Sequence, residues 1–186
     1  MTEKFSLVPD PMDQEWLLDG LRDLAALQGV ERLLTTTILE PSRTFFPDLW
    51  TPDADGVLTL TRRILRYAGL SHLRVALWVD AYATRVGAID PLNDRSHGRE
   101  GTAAWFAGIV DGTCLFGLDE ARLDDAESVA GVLAHEVAHA WREHHAARVN
   151  DRAVEEELTD LTTIYLGFGV LTTNNTLRHR SRGVMR

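Results

Sequence analysis

A chain of 186 residues, 45% hydrophobic and 25% charged, has the length and composition of one globular domain with a buried core. Its 19 Lys and Arg against 28 Asp and Glu give a net charge of −9. Without a basic block, that charge argues against nucleic acid or an anionic membrane surface as a partner. The lone cysteine, Cys114, leaves no intramolecular disulfide, no apolar run approaches a membrane span, and the opening MTEKFSLVPDPMDQEW carries no apolar signal region. The expected location is the cytoplasm.

The first element is a helix over residues 12–28, where Trp16, Leu17, Leu21, Leu24 and Leu27 recur at helical spacing. Pro41, Pro47, Pro52 and Gly56 predict an irregular connection over 29–56. A second helix is expected over 58–67, with Gly69 as its stop. Three strands follow, at 73–79, 102–109 and 113–118, and Asp111-Gly112 between the last two is a hairpin signal. Residues 90–101 read as a polar loop. Asp124 or Asp125 can cap a helix over 126–144, in which Val129, Val132, Leu133, Val137, Ala140 and Trp141 keep the helical period. A last helix runs over 152–166 and stops near Gly167-Phe168-Gly169. The polar, basic tail from Thr172 onward reads as partly disordered.

Residues 135–139, within the helix expected over 126–144, read His-Glu-Val-Ala-His. Positions i and i+4 share a helix face, so His135 and His139 can hold one metal ion between them, and Glu136 can reach a water on it. A catalytic zinc takes three protein ligands and keeps one position open. The next helix offers Glu155, Glu156 and Glu157, followed by Asp160. Glu156 and Asp160 lie four apart on one face, which suits Glu156 as the third ligand and Asp160 as the acceptor of a histidine's outer ring N–H. Glu157 remains an alternative ligand, because it lies nearer the apolar face set by Val154, Leu158, Leu161 and Tyr165. The nitrogen and oxygen donors favour zinc over manganese, cobalt or iron.

HEVAH followed by a helix bearing Glu156-Glu157-Leu158-Thr159-Asp160 resembles the gluzincins, the thermolysin-like group of zinc peptidases. The following Tyr165-Leu166-Gly167-Phe168-Gly169 is similar to small bacterial zincin proteins. The resemblance covers about residues 70–170. It implies a minimal zincin-like α+β domain: N-terminal helices over about 1–70, then a metal-binding core over about 71–170 and a polar tail over about 171–186. The core would hold a three-stranded, mostly antiparallel sheet, the HExxH helix and the second motif helix. It further implies Zn2+ held by His135, His139 and Glu156, support from Asp160, and Glu136 as the catalytic base of a peptidase acting on a peptide or protein substrate. The strand near Cys114–Leu118 would be an edge strand able to receive an extended peptide by strand addition.

The family's oxyanion-stabilising residue has no fixed counterpart in the chain, and Tyr165, Arg178, His179 and Arg180 are the candidates. Two rival readings follow. One is a metal-loaded zincin fold that acts as a regulatory or interaction module with little proteolysis; the other is an apo domain that keeps only the fold. A Cys114 thiolate masking the metal is a further alternative, set against a plain buried strand residue. His144 and His145 read as the exposed end of the motif helix. Trp78, Trp105 and Trp141 read as core.

Overall fold

The computed structural model describes residues 8–80 and 103–183. Its architecture is α+β, with six α-helices and one three-stranded mixed sheet among these residues. Helix α1 (Pro11–Gln28) starts where the Asp10 carboxylate accepts the N–H groups of Met12 and Asp13. The short helix α2 (Val30–Thr35) occupies part of the stretch expected to be irregular. Helix α3 (Ala54–Tyr67) begins four residues earlier than its apolar pattern suggests, because Asp53 caps it by accepting the Gly56 N–H at 2.8 Å.

Strands β1 (Arg74–Asp80), β2 (Ala104–Val110) and β3 (Thr113–Asp119) form a sheet of order β1-β3-β2. Asp111 and Gly112 both take positive φ, 48° and 70°, the backbone of a two-residue hairpin turn that matches strand twist. That turn makes β2 and β3 antiparallel. β1 runs parallel to β3, so the sheet is mixed, with one pair of each kind, rather than mostly antiparallel. β3 is also the central strand, which corrects its expected place at the edge. Its residues Cys114 to Leu118 are all buried, and both of its edges are already paired. The expected polar loop over 90–101 lies outside the described residues.

Asp125 caps α4 (Ala126–His144) through the Ser128 N–H. Val129, Leu133, Val137 and Trp141 on its apolar stripe are fully buried, in one core cluster with Val57, Ile64 and Leu65 of α3 and Phe116 and Leu118 of β3. α4 packs on β2 and α3 on one side, and on α5 (Arg152–Tyr165) and α6 (Gly169–Gly183) on the other. The tail expected to be partly disordered is therefore helical as far as residue 183. Gly167, at φ 82°, ends α5, and a new helix starts two residues later. Among the described residues no helix is long and apolar enough to cross a membrane.

Gly131 is where α6 meets the motif helix. A Cβ there would stand 2.6 Å from the Asn175 Cβ and 2.8 Å from the Leu171 carbonyl oxygen. Gly131→Ala gains up to about 1 kcal/mol of helix propensity but forces a backbone shift costing about 1–3 kcal/mol. The expected result is a net loss of up to about 2 kcal/mol, read from the urea midpoint.

Candidate metal centre

The helical period divides α4 between two neighbours. Residues 135, 139 and 142 follow the i, i+4, i+7 rule and turn toward α5, while 136 and 143, seven apart, turn toward β2. On the β2 side, Glu143 Oε1 accepts the Ile109 N–H at 2.8 Å, and the Glu136 carboxylate meets the backbone N–H of Phe106. On the α5 side, His135 Nε2 lies 3.2 Å and His139 Nε2 lies 3.5 Å from the same atom, Glu156 Oε2.

This spacing can be tested against a metal ion. Two ligand atoms each about 2.1 Å from one ion, at tetrahedral angles, stand about 3.4 Å apart. The two nitrogen-to-oxygen distances fall on either side of that value, and one donor atom from each of His135, His139 and Glu156 lies within 4.8 Å of the other two. Two imidazoles and one carboxylate fit zinc, with a fourth position free for water or substrate. Glu157 is exposed and takes no part, so the turn of α5 brings Glu156 to the histidines.

The surroundings orient each ring. His135 Nδ1 lies 2.9 Å from Asp160 Oδ1, which is largely exposed. His139 Nδ1 lies 3.1 Å from the Thr159 hydroxyl. Behind it, the buried Glu155 carboxylate takes Arg142 Nε at 3.1 Å, Arg142 Nη2 at 2.9 Å and the Val149 N–H at 3.0 Å. Arg142 also donates to the Ala147 carbonyl at 2.7 Å, so one guanidinium ties the end of α4, the connection and the start of α5 together.

Electrostatics gives the cluster a demand for positive charge. Burial alone would favour the neutral ring of His135, but hydrogen bonds to Asp160 and Glu156 and the charge of Glu136 outweigh it and raise its pKa to about 10. His139 is raised too, since Glu155 and Glu156 overcome its burial. The hydrogen bonds from His135 and His139 hold the Glu156 carboxyl well below the usual carboxylate range. Burial pushes Glu136 upward, against the pull of both histidines. A cation at the two Nε2 atoms would meet the demand that protons otherwise meet.

The remaining candidates lie elsewhere. Tyr165 is buried in the core, and its hydroxyl donates to the Gly29 carbonyl at 3.4 Å. The side chains of Arg178, His179 and Arg180 lie outside the described residues. Cys114 is fully buried in β3, where burial and then the charge of Glu143 push its thiol up to about 12, so it is no ready thiolate. His144 is exposed at the end of α4, and Trp141 is core. Trp78 is partly exposed rather than core. Sequence reasoning gave no role to Arg142, Glu155 or Thr159. The available signal was an arginine three residues past His139, on a helix side that otherwise meets α5.

No protein-family model, no curated protein and no solved structure matches this chain.

Proposed function

We propose that the chain is a zinc-dependent metallohydrolase of the gluzincin type, acting as a peptidase on peptide or protein substrates in the cytoplasm. The observation that carries this reading is the convergence of His135 Nε2, His139 Nε2 and Glu156 Oε2, with Glu136 on the adjoining residue of the same helix. When bound, zinc supplies Lewis acidity: it polarises a carbonyl and brings the pKa of its water toward neutrality. Asp160 and Thr159 hold the rings of His135 and His139 with their Nε2 atoms toward Glu156. Glu136, held between the histidines and β2, accepts a proton from the attacking water and delivers it to the departing amine. The acidic surface, with a net charge of −9, favours a peptide or protein substrate over nucleic acid.

Strand addition, if the site uses it, belongs to β2 rather than β3, because β3 is paired on both sides. The test is digestion of a broad peptide library by zinc-loaded protein, read by mass spectrometry. Cleavage that stops with chelator and returns with zinc is the expected result. A library left intact by fully zinc-loaded protein would reject the peptidase.

The position of Tyr165 favours a second reading, a metal-holding regulatory or interaction module. The tyrosine nearest the second motif is committed to the core and to Gly29, away from the cluster where an oxyanion would form. On this reading zinc binds, no peptide is turned over, and a protein partner binds at the cluster.

A further inference from the structure

We propose that the Thr159 hydroxyl is the positioning partner of His139, and that Arg142 keeps the neighbouring Glu155 carboxylate from taking that role. The inference rests on the zinc reading above and assigns a residue that the motif does not specify. Thr159 is fully buried on α5, between Glu155 and His139. Its Oγ1 lies 2.7 Å from the Glu155 backbone oxygen and 3.1 Å from His139 Nδ1. A hydroxyl has one proton and two lone pairs. With that proton given to the Glu155 carbonyl, Oγ1 can only accept from His139. The Nδ1 atom then keeps its hydrogen, and Nε2, which faces Glu156, is the nitrogen that gives up its proton and offers a lone pair when a cation binds.

The competing orienter is the Glu155 side chain, whose Oε1 stands 3.9 Å from the same Nδ1, beyond hydrogen-bond reach. It is held there by Arg142 Nε and Nη2 and by the Val149 N–H. The two ligand rings therefore have unlike supports. His135 has an exposed carboxylate, and His139 has a buried neutral hydroxyl backed by a neutralised ion pair. The hydroxyl fixes the tautomer and plane of His139 without a carboxylate in direct contact with its Nδ1.

The test is zinc affinity of the purified full chain, measured by competition with a chromophoric chelator, for wild type, Thr159→Val and Thr159→Ser. Valine keeps the shape and removes the hydroxyl; serine restores the hydroxyl. Thr159→Val is expected to bind zinc about 10–100-fold more weakly, and Thr159→Ser to recover most of the loss. Equal affinity for wild type and a folded Thr159→Val would overturn the proposal while leaving the zinc site standing. A wild type that takes up no zinc would instead remove the reading beneath it. Should Thr159→Val fail to fold, nitrogen-15 spectra of zinc-loaded wild type still decide. His139 metallated at Nε2 with a proton on Nδ1 supports the assignment, and metallation at Nδ1 overturns it.

Discussion

Glu136→Gln protein is expected to retain zinc at wild-type stoichiometry and to lose about 10²–10⁴-fold in peptide hydrolysis. The substitution keeps the shape of the side chain and removes its capacity to take a proton. The two Nε2 atoms and Glu156 Oε2 are untouched, so metal uptake should not change. Glu136 also meets the Phe106 N–H through an oxygen that glutamine retains, so β2 should keep its place beside α4. The measurement is turnover of a peptide found to be cleaved by wild type, with metal content measured on the same sample. Full activity in the variant would show that hydrolysis does not pass through this carboxylate. Lost activity together with lost zinc would make Glu136 a structural part of the site rather than its base.

Removing Arg142 is expected to produce the largest stability loss. Its guanidinium is almost wholly buried and pairs with an equally buried Glu155. Arg142→Ala removes the buried countercharge and leaves that carboxylate only the partly exposed Arg148, whose Nε stands 3.6 Å away, at a cost of about 3 kcal/mol, a large part of the roughly 5–15 kcal/mol that holds a typical domain together. It also leaves the Ala147 carbonyl without its donor and frees the start of α5. The pair itself need not be net stabilising, since exchanging both members of a buried pair for apolar groups is often neutral. The double variant Arg142→Leu with Glu155→Met should therefore recover much of the loss. Urea midpoints taken with chelator present separate this effect from metal linkage. A single variant within 1 kcal/mol of wild type would show that the clamp contributes little.

The candidate site was legible in the chain to the extent that helix geometry dictates it. Four-residue spacings placed His135 with His139 and Glu156 with Asp160, and an α-helix leaves little freedom in either pair. The choice between Glu156 and Glu157 was not legible, because it depends on how α5 is rotated against α4. That rotation is set by contacts between helices, among them the Arg142 guanidinium reaching Glu155 and Ala147. The hydroxyl at Thr159 was visible as part of the motif, but its partner belongs to the facing helix.

The fold followed a similar division. Asp111-Gly112 announced the hairpin, and the apolar stripe announced α4. The place of β3 was misread, although the unbroken apolar run from Cys114 to Leu118 is the mark of a strand covered on both faces. The parallel pairing of β1 with β3 has no local signal, since it joins residues about 40 positions apart, such as Arg74 and Thr113. Helix α6 was hidden by its polar composition and by the glycines before it. It is held from outside, by the seat at Gly131 and the Ser128 hydroxyl 2.8 Å from Asn175 Oδ1.

Zinc binding by His135, His139 and Glu156 is the claim on which the rest depends, and metal content measures it most directly. Tag-free wild type and His139→Ala, purified in parallel and analysed by inductively coupled plasma mass spectrometry, should contain about one zinc per chain and almost none, respectively. Wild-type protein without metal, even after zinc is supplied, or a His139→Ala variant that keeps its zinc, would contradict the account.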